Sequence, residues 1–198
     1  MTAQMNDVFR YDDTDFSVAG ISDGVLFEPS LLDLVPVGTC TACWRGYQAI
    51  FAVSDSHLVL DTLNVNLPAE GKGFQRQEGP SINGVTPTGS LGEFDSFNNH
   101  YTGLKYHLEY TGGLLLADGF IAALYVHMGF HPAWKYRHVL ELIFANGVLK
   151  QEFDRSERMA ELRQQTVDSH PEDTTALTRA KYKIREHLEG SFDRTYRI

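Results

Sequence analysis

Asn146-Gly147 lies between two alternating segments, and few short features restrict a fold more tightly. Both residues accept positive φ, which a two-residue hairpin turn requires, so 138–145 and 148–153 are predicted to pair as antiparallel strands. His138, Leu140, Leu142 and Phe144 share one face of the first strand, and Val139, Glu141 and Ile143 the other.

A second hairpin is expected over 47–67. Tyr47, Ala49, Phe51 and Val53 face one way and Gln48, Ile50 and Ala52 the other; Ser54-Asp55-Ser56-His57 turns the chain into Leu58-Val59-Leu60. Apolar residues on both faces predict a strand covered on both sides. Leu104, Tyr106, Leu108 and Tyr110 alternate with Lys105, His107 and Glu109, the pattern of a strand with one wet face. Gly112-Gly113 then leads into Leu114-Leu115-Leu116. Residues 9–19 read as one strand carrying Phe16 and Val18, followed by the turn Ser22-Asp23-Gly24 and a short strand Val25-Leu26-Phe27. Residues 119–128 fit helix and strand equally well.

Asp154 or Ser156 can cap a helix running to about residue 165, with Met159 and Leu162 as its apolar contacts. After His170-Pro171, a last helix is expected from Asp173 or Thr174 to Gly190, striped by Leu177, Ala180, Ile184 and Leu188. The fold class is therefore α+β: mainly antiparallel β-sheet, in hairpins or a meander, with two C-terminal helices. A chain of 198 residues is long enough for one self-sufficient core, so 1–198 is read as a single domain, β-rich over 1–153 and helical over 154–198. The stretch 68–100, punctuated by glycine and proline, looks too polar for a core. It is far longer than an ordinary connection, which points to a functional or mobile loop, with Asn83-Gly84 as a small turn inside it.

The charge is uneven. Of 17 Lys+Arg and 26 Asp+Glu, residues 1–149 hold 7 and 16, and residues 150–198 hold 10 and 10, so the whole net −9 belongs to the β-rich part. Asp7, Asp12, Asp13, Asp15, Asp23, Glu28 and Asp33 stand against Arg10 alone in the first 35 residues. Such a field repels phosphate backbones and speeds encounter with a basic partner, so nucleic acid is not expected as a ligand. No run approaches the roughly 18 apolar residues of a membrane-spanning helix, and the first ten residues lack the pattern of a secretory signal. Two cysteines fit a reducing compartment, and a cytoplasmic location is expected.

Cys40-Thr41-Ala42-Cys43 is a C-x-x-C, but Trp44-Arg45-Gly46 and a strand follow it where a thioredoxin-like site would place a helix. With His127 and His131, the same cysteines could form a Cys₂His₂ metal set if the fold united them; otherwise they pack beside Trp44. His107, His127 and Glu141 are the alternative candidates for proton transfer or metal binding, although His107 lies on the face expected to be wet. Nucleophile elbow, P-loop, dinucleotide fingerprint and H-E-x-x-H are all missing from the sequence. No cofactor is expected. The segment 130–137, Phe-His-Pro-Ala-Trp-Lys-Tyr-Arg, packs Phe130, Trp134, Lys135, Tyr136 and Arg137 into a stretch suited either to partner binding or to closing a core through cation–π contacts. Trp44, Arg45 and Tyr47 complete the candidate binding set, and Arg45 at a strand entrance suits a buried cation stacked on rings.

Ala42-Cys43-Trp44-Arg45-Gly46-Tyr47, the strand after it, Asp55 and His57-Leu58-Val59-Leu60 resemble a pattern found in uncharacterised bacterial proteins, as does much of the stretch 111–136. The resemblance implies a bacterial source and carries no activity, cofactor or site residue.

These features point first to a non-catalytic protein-binding protein, of the kind that neutralises a basic effector as an immunity protein does. The alternatives are a metal-dependent enzyme built on the histidines and Glu141, and a structural domain that self-associates through the 177–188 stripe.

Overall fold

A computed structural model describes residues 2–68, 77–93, 95–168 and 196. Eight strands and one α-helix are present among them: β1 (Val8–Tyr11), β2 (Thr14–Ile21), β3 (Tyr47–Ser54), β4 (His57–Val65), β5 (Asn99–His107), β6 (Gly112–Phe120), β7 (Tyr136–Ala145), β8 (Val148–Asp154) and α1 (Ser156–Asp168). The strands form one sheet in the order β3-β1-β2-β6-β7-β8-β4-β5, and an additional β3–β4 pairing closes it into a ring of seven with β5 added on β4. Pairing is antiparallel throughout except between β1 and β3, which run parallel. The α+β, largely antiparallel class therefore holds, but the topology is a closed sheet and not a meander. The expected second helix, with its stripe Leu177, Ala180, Ile184 and Leu188, lies outside the described residues.

Closure rests on a short contact. His57 stands opposite Val148, flanked by hydrogen bonds from the Leu58 amide to the Gly147 carbonyl (2.7 Å) and from the Leu149 amide to the Ser56 carbonyl (2.8 Å). Beyond Val59 the same edge of β4 pairs with β5 instead. Asn146 (φ 48°) and Gly147 (φ 75°) form the expected hairpin turn, and a Cβ on Gly147 would run into the Leu108 carbonyl. One turn thus joins β7 to β8 and seats the chain against the closing strands.

The two faces of the sheet have separate cores. Phe9, Phe51 and Phe144 meet inside the ring, with the Phe9 centroid 6.4 Å from each of the other two, among Leu58, Leu60, Leu63, Leu114, Leu116 and Leu142. Each such fully buried side chain contributes about 1.5–3 kcal/mol relative to exposure. On the outer face, Leu115, Ala117 and Val139 pack with Tyr136 and Met159, and Leu162 lies against them. The Asp154 carboxylate accepts the Ser156 amide (2.8 Å), the Ser156 hydroxyl accepts the Val139 amide (3.1 Å), and Arg163 donates to the carbonyls of Trp134 and Tyr136. The helix is tied at its start to the strand it covers, as Met159 and Leu162 predict.

Three local expectations change. The segment 9–19 is not one strand: Asp12 (φ 46°) and Asp13 (φ 58°) turn it into the β1–β2 hairpin, because a short carboxylate side chain tolerates left-handed backbone. Val25-Leu26-Phe27 forms no strand; Leu26 and Phe27 anchor an irregular crossing while Val25 stays exposed. Of the ambiguous stretch 119–128, Gly119 and Phe120 end β6, and the rest is irregular around one 3₁₀ turn, Ala122–Leu124.

The described part of 68–100 is packed, against the expectation that it is too polar. Ile82 and Phe97 are buried, and Ile82 and Val85 close a small turn on Asn83-Gly84. Thr88 pairs with His100 through two backbone hydrogen bonds, and asparagine side chains supply further partners. Asn66 donates to the Ser96 carbonyl (2.7 Å), Asn98 accepts from the Leu67 amide and donates to its carbonyl, and Asn99 accepts the Gly79 amide while donating to the Gln77 carbonyl. Buried backbone groups of an irregular segment need such partners.

Candidate functional site

The turn before β3 carries most of the chemistry. Arg45 donates to both carboxylate oxygens of Asp7 (2.9 and 3.0 Å), and Asp7 also accepts the Ala49 amide (3.0 Å). The guanidinium carbon lies 4.5 Å from the Tyr47 ring centroid and 5.3 Å from that of Phe130. Burial disfavours this charge, but the Asp7 carboxylate more than offsets it and drives the Arg45 pKa above its ordinary value. The stacked cation expected at the strand entrance is present. Its counter-ion, 38 positions earlier, leaves no local signal in the sequence.

On the outer side of this turn, the Cys43 amide donates to the Cys40 carbonyl (3.2 Å), closing a tight turn over Thr41 and Ala42. The Thr41 carbonyl accepts the Trp44 indole N–H (2.9 Å) and the Gln4 side-chain amide (2.9 Å), while the Gln4 oxygen accepts the Trp44 amide (3.2 Å). Gly38 lies so close to the Trp44 carbonyl that a Cβ would stand 2.7 Å from it. The result is a shallow groove of about 520 Å³ lined by Gly38, Thr39, Cys40, Thr41 and Trp44. Cys40 is exposed and Cys43 buried; both are free thiols. Cys43 donates to the Tyr47 carbonyl (3.3 Å), and burial pushes its thiol pKa up against the opposing pull of Arg45.

Trp44 is 49% exposed, and Val37 and Val35, in the stretch leading into the groove, are also exposed, at 36% and 73%. The exposure of the two valines was missed by sequence reasoning because isolated valines in an irregular stretch carry no periodic signal. Earlier in the chain, Asp12, Asp13, Asp15, Asp23, Glu28 and Asp33 are exposed, whereas Asp7 is neutralised inside by Arg45.

Segment 130–137 is mostly turned inward. Lys135 and Tyr136 are buried, Trp134 is half-buried on the outer-face core, and the Lys135 ammonium sits 5.4 Å from the Trp134 ring. Phe130 is engaged with Arg45, and Arg137 is exposed. The cation–π contacts belong to a segment that closes the core.

The titratable candidates are scattered. His107 lies beside His57 (centroids 5.4 Å apart), His127 bonds the Tyr125 hydroxyl (2.9 Å), and His131 is buried against the rings of Phe120 and Tyr125. Glu141 is buried on the outer face of β7, held by Arg155 (2.6 Å) and Tyr196 (2.7 Å). The chain segment at 3–5 runs between Gly129 and Ala42, which separates the histidines from Cys40 and Cys43. Among the described residues, no three or more His, Cys, Asp or Glu side chains converge to hold a metal ion. His100, by contrast, is buried between Asp95 (2.7 Å) and Asn64 (2.8 Å), in a network that pins the 77–98 connection to β4. No helix among the described residues is long and apolar enough to cross a membrane.

Comparison with family models, with curated proteins and with solved structures gave no match.

Proposed function

We propose that this chain is a non-catalytic protein-binding protein, and that its partner is a basic protein which it neutralises in the manner of an immunity protein in the bacterial cytoplasm. One observation carries the reading: the half-exposed Trp44, with Val37 and Val35, belongs to a β-rich part whose N-terminal carboxylates face solvent. An indole at the centre of an interface supplies rigid contact area, and net negative charge accelerates the approach of a cation-rich partner. The same charge speaks against nucleic acid and anionic membrane surfaces as partners. A second C-terminal helix over 173–190 completes the proposed architecture.

The test is capture from bacterial lysate, and of proteins encoded beside this chain, at low and high salt. A basic protein retained at low salt, weakened by Trp44→Ala and by Asp12→Asn with Asp13→Asn, is the expected result. No retained partner at low salt, where steering is strongest, refutes it.

A further inference from the structure

We infer that Cys40 and Cys43 form a thiol–disulfide exchange site which takes a low-molecular-weight disulfide as its oxidant and closes into an intramolecular disulfide at the floor of the Trp44 groove. The turn already brings the two backbone positions together. Cys40 and Cys43 stand opposite one another across a two-residue turn, with the Cys43 amide on the Cys40 carbonyl. The two ends of such a four-residue turn have Cα atoms within about 7 Å, a separation that overlaps the roughly 4.4–6.8 Å a disulfide spans. Closing the bridge requires the Cys43 side chain to rotate away from the Tyr47 carbonyl and the exposed Cys40 side chain to turn toward Cys43.

The two thiols have different access, which orders the steps. Cys40 opens into the groove, so an outside disulfide reaches it first; Cys43 is buried and is shielded from direct attack. The Cys40 thiolate attacks one sulfur of the reagent, breaking the reagent's S–S bond and releasing one of its halves as a thiol. Cys43 then gives up its proton and attacks the Cys40 sulfur, expelling the second half as a thiol. In sum, two S–H bonds of the protein are lost and one S–S bond forms. The reagent takes up two electrons and two protons. Arg45 lies near enough to Cys43 to favour the thiolate that the second step needs, and this partly counters the burial that raises its pKa.

Nothing in this step depends on a protein partner, so its outcome is separate from that of the proposed function. It does share the groove. The carbonyl of Thr41, inside the turn, holds both the Trp44 indole and Gln4, so closing the bridge stiffens the platform that presents Trp44.

The experiment treats the full chain with oxidised glutathione, alkylates remaining thiols after denaturation, and weighs the product. The expected product has lost two hydrogens, carries no alkyl group and no glutathione, and regains both thiols with dithiothreitol. Cys40→Ser, an exposed substitution that leaves the core intact, should leave Cys43 fully alkylatable and free of glutathione. A stable glutathione adduct on Cys40 with Cys43 still alkylatable overturns the inference, as does a disulfide that forms only between two chains. Cys43 acquiring glutathione in the Cys40→Ser variant as fast as the unaltered chain loses its thiols refutes the assigned order of attack.

Discussion

The Tyr196 hydroxyl donates to Glu141 Oε1 (2.7 Å) across 55 residues of chain, while Arg155 holds the other carboxylate oxygen. Gly20 and Gly113 make the slot for this ring: a Cβ on Gly20 would stand 2.8 Å from Tyr196 Cδ1, and one on Gly113 would collide with its hydroxyl. The absence of two side chains from adjacent strands therefore lets a residue near the C-terminus reach a carboxylate buried on the outer face of the sheet.

Tyr196→Phe is expected to destabilise the protein by about 1.5–3 kcal/mol, the range for a hydrogen bond to a charged group. Gly113→Ala should displace the ring as well as the bond and so do at least as much damage, read as a fall in urea midpoint. Burial, and then the hydrogen bond to Glu141, raise the Tyr196 pKa; a bond to Glu152 followed by desolvation pushes Tyr11 up to about 12. Groups raised in the folded state stabilise it fully below their unfolded pKa, about 10 for tyrosine, and that stability is lost as pH rises further. Unfolding free energy should thus decline above about pH 10, and less steeply in Tyr196→Phe; an unchanged slope in the variant would count against the coupling.

Asp7 and Arg45 form a pair whose single removal leaves a charge stranded. Arg45→Met should cost about 3 kcal/mol, at the lower end for buried pairs because the arginine keeps some solvent contact, with side-chain exposures of 23% for Arg45 and 5% for Asp7. Arg45→Lys should restore little, since an ammonium cannot bond both carboxylate oxygens in a fork or lie flat over Tyr47. A double substitution, Asp7→Leu with Arg45→Met, should cost less than the sum of the singles, measured by chemical denaturation as a thermodynamic cycle. Additive losses would show that the two side chains act independently.

Local relationships were legible in the sequence, and distant ones were not. The 47–65 and 136–154 hairpins could be read because turn residues and alternation lie within one window, and Arg45 over Tyr47 because the two are close in sequence at the entrance to β3. The Asp12-Asp13 turn was hidden because aspartates announce positive φ less openly than Asn-Gly, and the alternation of Phe16 and Val18 masks the break. Ring closure depends on one opposed pair, His57 and Val148, about which neither strand carries local information. The Asn66, Asn98 and Asn99 contacts are likewise tertiary. Asparagine is common in loops, and its role here is set by which carbonyls the fold brings near.

Acid should loosen the 77–98 connection before the ring. Desolvation works to raise the Asp95 pKa, but the amides of Leu91 and Phe97 and the His100 ring outweigh it and hold the carboxyl below its usual range. A carboxylate depressed in the folded state contributes stability above its unfolded pKa, about 3.9, and the contribution is lost as pH falls through the lower folded value. Hydrogen exchange at the Leu91 and Phe97 amides should therefore lose protection below about pH 4, ahead of strand β7. In Asp95→Asn the two amides should be weakly protected at every pH, and full protection there would show that the carboxylate does not hold the loop.

Two glycines with nearly equal φ separate backbone strain from collision. Gly84 (φ 79°) has open space where a Cβ would be, whereas Gly147 (φ 75°) faces the Leu108 carbonyl at the point where the sheet closes. Gly84→Ala meets only the left-handed backbone penalty and should cost about 1–2 kcal/mol. Gly147→Ala meets the same penalty and must also push β8 away from the chain after β5, straining the hydrogen bond from its amide to the Tyr110 carbonyl (2.8 Å). Its loss should exceed that of Gly84→Ala by at least about 1 kcal/mol, the scale of a disturbed hydrogen bond, in paired denaturation curves. Equal losses would mean that the Gly147 contact yields freely and that the His57–Val148 closure contributes little to the stability of the ring.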